Sequence, residues 1–101
     1  MSSRPRGLAA PGRRLWDAVT GDLELDAPEL TLLEEACKTR DLIAELRRKV
    51  AETGPIIGSN QAPRVHPAAV EARQQALVLA KLVAALGLPK GVLDDLVGGG
   101  K

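Results

Sequence analysis

From Asp26 to Gly54 the chain carries one unbroken helical signal, and that signal restricts what the remaining residues can do. Asp26 offers a side-chain oxygen to the first-turn amides, and Glu29, three residues later, can return the bond to complete a capping box. Pro28 falls in the first turn, where its missing N–H costs nothing. The stop is as clear. Gly54 is expected as a left-handed C-cap after Thr53, and Pro55 forbids continuation. Within this span Leu32, Ala36, Thr39, Ile43, Leu46 and Val50 follow 4-3-4-3-4 spacing, the seam of a helix that pairs with another. Leu30, Leu33 and Cys37 form a second stripe, rotated by roughly 130° at about 100° per residue. The first half of the helix is therefore expected to be buried from two sides.

The flanking segments supply the covers. Residues 1–11 (MSSRPRGLAAP) hold two prolines and no periodicity, and read as a mobile arm. A short helix from about Gly12 to Thr20 places Leu15, Trp16 and Val19 on one face, with Trp16 as its anchor. After Gly54, the arms Pro55, Ile56, Ile57 and Pro63, Arg64, Val65 around a polar turn (Gly58 to Ala62) predict a small β-hairpin too short to stand alone. A third helix begins at His66 or Pro67 and ends at Leu86, where Gly87 and Pro89 follow. The last residues hold at most a short helix over 92–97 and a glycine run. The expected architecture is mainly all-α: an arm (1–11), a helical core (12–89) in which a short helix joins a long antiparallel helical hairpin, and a tail (90–101).

Composition sharpens this expectation. The 101 residues are 45% hydrophobic but include one Trp and no Phe or Tyr, so the core must be built from Leu, Val, Ile and Ala. A chain of this size buries a modest fraction of its surface alone. From Ala76 to Leu86 the only polar residue is Lys81. A helix apolar all round must be covered all round. The side bearing Leu77, Val83 and Ala84 is therefore expected to meet another subunit, together with Ile56 and Ile57 of the hairpin.

Enzymatic chemistry finds few materials. A nucleophile needs a base within reach, and the single histidine, His66, sits at a helix start, where capping is its ordinary role. One His and one Cys cannot make a zinc cluster, and Cys37 cannot form an internal disulfide. No GxxxxGK[ST] or GxGxxG occurs, so no cofactor or ATP site is expected. No apolar run is long enough for a bilayer, and Gly7 to Ala10 is too short for a signal-peptide core, which points to a cytoplasmic protein without membrane contact.

Nucleic acid is different, because cations alone suffice for phosphate contact. The net charge is +1, yet Arg4, Arg6, Arg13 and Arg14 fall in an acid-free stretch. Arg47, Arg48 and Lys49 form a second cluster, for which favourable interaction with the helix macrodipole is the competing explanation. A single Trp argues against single strands, whose bases stack on aromatic side chains. No helix-turn-helix is evident.

The segments GRRLWDAVTGDLELDAPELTLLEEACKTRDLIAELRRKVAETGPII and RVHPAAVEARQQALVLAKLVAALGLP, in this order, resemble the small terminase subunits of tailed phages, of the type found in actinobacterial phages and prophages. The positions that carry the resemblance are Gly12, Leu15 and Trp16; Asp26, Glu29, Leu30, Leu33, Ala36 and Cys37; and His66, Pro67, Glu71, Ala72, Arg73 and Gln74. The resemblance spans Gly12 to Pro89. It implies a ring-forming homo-oligomer of about eight to ten copies in the host cytoplasm, closed by cyclic symmetry. Such a ring would bind double-stranded viral DNA at the start of packaging and regulate the ATPase and nuclease of the large terminase subunit. Many members of that family continue past the L-x-L-P motif into a longer basic tail, where this sequence stops at Lys101. The alternative reading from the residues is a helical-hairpin interaction or scaffold protein without a nucleic-acid role.

Overall fold

The computed structural model describes residues 3–54, 56–57 and 64–88. It is mainly helical: α1 (Ala10–Asp22), α2 (Ala27–Thr53) and α3 (Pro67–Leu86), with β1 (Ile56–Ile57) paired antiparallel to β2 (Arg64–Val65). The register sets Ile56 opposite Val65 and Ile57 opposite Arg64. The expected turn over 58–62 and the expected helix over 92–97 lie outside the described residues.

α2 forms as its sequence signals require. Asp26 accepts from the Glu29 N–H at 2.9 Å, and Glu29 Oε1 accepts from the Asp26 N–H at 2.9 Å, so the capping box closes in both directions. Gly54 has φ 84 and ψ 158, which is positive but not the left-handed helical conformation expected of it; its N–H still reaches Val50 O at 2.6 Å. Gly87, with φ 64 and ψ 36, is the left-handed cap that ends α3. His66 caps the start of α3, its Nδ1 accepting from the Ala68 N–H at 2.9 Å.

The lengths of the helices decide the shape of the core. At about 1.5 Å per residue, α2 runs for about 40 Å and α1 for about 20 Å. α1 meets the middle of α2 at its own start, where Gly12 lies against Cys37 and Asp41, and runs back toward the turn that leads into Asp26. Only the first half of α2 is therefore covered by both α1 and α3. There Leu15, Trp16 and Val19 of α1 join Leu33, Ala36, Cys37 and Ile43 of α2 and Leu79, Val83 and Leu86 of α3 in one buried cluster. Thr39, inside the α2 seam, satisfies its hydroxyl on Glu35 O at 2.8 Å. Toward the other end α2 and α3 are the only helices among the described residues, and the contact is alanine-rich, with Ala68 and Ala72 buried and Leu46 and Val50 half-buried.

The residues before α1 are less free than expected. Helix α1 starts at Ala10 instead of Gly12, Leu8 is buried in the core cluster, and the chain turns at Gly7, whose φ of 86 suits a residue without a Cβ. The physical reason lies in α2. The N-cap of α1 is Ala9, which has no capping side chain, so Asp41 of α2 supplies one: its carboxylate accepts from Ala9 N–H at 2.8 Å and from Gly12 N–H at 2.6 Å. A mobile arm over residues 1–11 therefore does not describe 8–11, which are tied to the core.

Candidate functional site

The sequence puts its cations in two groups, and the structure redistributes them. Arg4 donates to Asp17 at 3.0 Å, and Arg13 donates through Nη1 to Leu8 O at 2.6 Å, so half of the expected arm cluster is satisfied within the chain. Arg48 is held between Glu45 and Glu52, which raises its pKa, and Glu45 is lowered in turn by that hydrogen bond. These three arginines are poor candidates for open phosphate contacts, because each already has an acceptor. Arg47 to Lys49 also precede the last turn of α2, where no basic residue stands, so the macrodipole does not explain them. Arg6 and Lys49 are exposed, and no salt bridge among the described residues engages them.

A different set of cations converges. Arg40, half-buried on α2, has its pKa lowered by desolvation first and then by the fields of Arg47 and Arg14, with Asp41 as the smaller opposing pull. Arg47 in turn lines a cleft between α2 and α3 with Val50, Ala69, Ala72, Arg73 and Ala76, about 240 Å³ in volume. Arg47 thus has Arg40 along α2 and Arg73 across the cleft as neighbours, and neither these three nor Arg14 form a salt bridge among the described residues. Neighbouring acids are engaged elsewhere: Glu45 and Glu52 with Arg48, Glu71 with Gln75 at 2.7 Å, and Asp41 with the start of α1. Neither Arg40 nor Arg73 is among the site residues expected from sequence. The signal for Arg40 is its seven-residue interval to Arg47, two helical turns on one face; nothing local marks Arg73.

The apolar surface is also rearranged. Leu77 is 66% exposed, and Ala84 is exposed on the same side. Val83 is not: at 1% exposure it faces the core between Leu79 and Leu86. An all-apolar helix carries no polar marker of its inward face, so spacing alone cannot separate Val83 from Leu77. The outward stripe is Val70, Leu77 and Ala84, at seven-residue intervals, flanked by Val78. Side chains of Ile56 and Ile57 lie outside the described residues.

The remaining reactive groups are quiet. Cys37 is fully buried, and desolvation, followed by the charges of Asp41, Glu34 and Asp17, pushes its thiol up to about 12, far from a nucleophilic thiolate at neutral pH. A cleft of about 530 Å³ at the α1–α2 turn is lined by Glu24, Asp26 and Glu29 with Thr20 and neighbouring leucines, but Asp26 and Glu29 are committed to the capping box. Among the described residues there is no group of His, Cys, Asp and Glu that could hold a metal, and no helix is long and apolar enough to cross a membrane. No family model, curated protein or solved structure matches the chain.

Proposed function

We propose that this chain is a small terminase subunit: a non-enzymatic adaptor of the host cytoplasm that assembles into a ring, binds double-stranded viral DNA and regulates the ATPase and nuclease of the large subunit. The class comes from the ordered motifs between Gly12 and Pro89. The observation that carries the reading is the outward face of α3, where Val70, Leu77 and Ala84 repeat at helical spacing and leave Leu77 largely in water. A face of this kind, on a helix whose other side already fills the core, suits repeated subunit contacts. In this reading Ile56 and Ile57 add to the contact. Arginines without a salt bridge among the described residues give a ring many weak phosphate contacts, which multivalency converts into useful avidity.

The test of function uses the purified chain with a purified large terminase subunit and duplex DNA. The chain alone is expected neither to hydrolyse ATP nor to cut DNA, and to change the rate at which the large subunit does either. ATP turnover by the chain itself, removed by a point substitution within it, contradicts the reading. So does a large-subunit rate indifferent to the chain at every ratio.

A further inference from the structure

We infer that the cleft between the second half of α2 and the first half of α3, lined by Arg47 and Arg73, is where this chain holds the phosphate backbone of duplex DNA, with Arg40 two turns back along α2 as a further contact. The inference deepens the DNA-binding reading above and rests on it. It moves the contact from the N-terminal arm, where the charge pattern of the sequence put it, to the body of the fold.

Like charges repel, so a folded chain ordinarily separates its arginines or places acids between them. Here Arg40 lies in the fields of both Arg47 and Arg14, and Arg47 shares the lining of one cleft with Arg73. Among the described residues, no acid lines that cleft. The acids of this end of the molecule are engaged with Arg48, Gln75 or the start of α1. A polyanion that enters the cleft meets Arg47 and Arg73 together and relieves their repulsion.

Shape and side-chain type then choose the anion. Arg40 and Arg47 are separated by two turns of α2, about 10 Å along its axis, so they reach different phosphates of one polyanion instead of sharing a single small ion. Arginine presents a planar fork that matches phosphate oxygens bidentately. The cleft floor is Ala69, Ala72 and Ala76 beside Val50, whose side chains carry no donor or acceptor to read a base or a peptide. It offers no aromatic side chain either: Trp16, the only aromatic residue in the chain, is buried in the core. Without a stacking platform a single strand has nothing to hold its bases, and the duplex backbone is the polyanion that fits.

The experiment compares three full-length proteins: the natural sequence, the cleft variant Arg47→Gln with Arg73→Gln, and the arm variant Arg4→Gln with Arg6→Gln. Arg47 and Arg73 are both exposed and form no salt bridge among the described residues, so their replacement leaves the fold intact, which circular dichroism and the particle mass verify. Each is titrated with a labelled short duplex at about 50 and about 200 mM salt, and the slope of log affinity against log salt is read. The expected result is that the cleft variant binds at least about tenfold more weakly. Its slope should also be shallower by about 0.9 for each phosphate that the bound protein no longer neutralises. The arm variant should stay close to the natural sequence. Equal affinity and slope in the cleft variant, with weaker binding in the arm variant, overturn the inference while leaving the DNA reading in place. Absence of duplex binding by the natural sequence at the lower salt overturns both. Tighter binding of poly-glutamate, or of the matching single strand, than of duplex shows that the cleft serves a different anion and also overturns the inference.

Discussion

Gly12 and Asp41 show how much of this fold depends on single residues whose partners are distant in sequence. A Cβ at position 12 would lie 2.5 Å from Asp41 Oδ2 and 2.8 Å from the Cys37 carbonyl oxygen, and the carbonyl belongs to a helix that cannot give way. Gly12→Ala should therefore lower the melting temperature by at least about 5 °C. It should do so even though alanine gains about 1 kcal/mol of helix propensity. Asp41→Ala strips the start of α1 of the carboxylate that accepts two of its amides, and should cost about 1–2 kcal/mol in denaturant unfolding. Full stability in both variants would mean that α1 is not docked as described. Cys37 makes a separate prediction through its raised pKa. The unfolded thiol ionises near about 8.5, whereas the folded thiol holds its proton to about 12, so the unfolded state binds fewer protons between these values. The stability tied to this group is complete below about pH 8.5 and declines as pH rises toward 12. The extra alkaline destabilisation should be missing in Cys37→Ala, and the natural thiol should resist alkylation until the protein unfolds.

Among the elements, α2 is legible to the residue because its start and end are written in local chemistry: a capping box at one end, glycine and proline at the other. Helix α3 is equally legible in extent, ending at the left-handed Gly87, but not in orientation. Leu77 and Val83 are the same kind of residue to any pattern of apolar spacing, yet Leu77 faces water and Val83 the core. That choice is made by α1 and α2, which enclose Leu79, Val83 and Leu86 from the other side. The start of α1 escapes a reading of the sequence for a related reason: its cap comes from α2, and no residue near Ala9 announces it. The arginines divide in the same way, with Arg40 and Arg47 readable as one face of a helix and Arg73 brought to Arg47 only by the packing of α3. Two substitutions separate core from subunit surface. Val83→Asp buries an unpaired charge, a change worth several kcal/mol, and should unfold the chain. Leu77→Glu should keep the helical signal and melting cooperativity while reducing the native particle to smaller species. If Leu77→Glu leaves the mass unchanged in light scattering, the outward face of α3 is not where subunits meet.

At the scale of the whole molecule, the unequal lengths of α1 and α2 give the chain two different ends. Among the described residues three helices share one end and hold the core, and two helices make the other, where Arg47 and Arg73 line the cleft. The outward stripe of α3 runs past both, so neighbouring copies joined through it would set their clefts side by side. Such an arrangement would make each DNA contact weak and the assembled surface strong, because linked sites raise avidity by roughly 10² to 10⁴. The order of motifs that resembles a small terminase is visible in the sequence, whereas the cleft is not, since it exists only once α2 and α3 are packed. The central claim is that this chain works as a many-copy assembly on duplex DNA. It is tested most directly by the mass of the native particle, measured by native mass spectrometry with and without a duplex. The expected result is a closed assembly of many subunits, alone or on the duplex, that takes up DNA as a discrete complex and releases it as salt is raised. A monomer or a stable dimer whose mass is indifferent to duplex DNA at low salt would contradict it, and would favour a helical interaction protein with no nucleic-acid role.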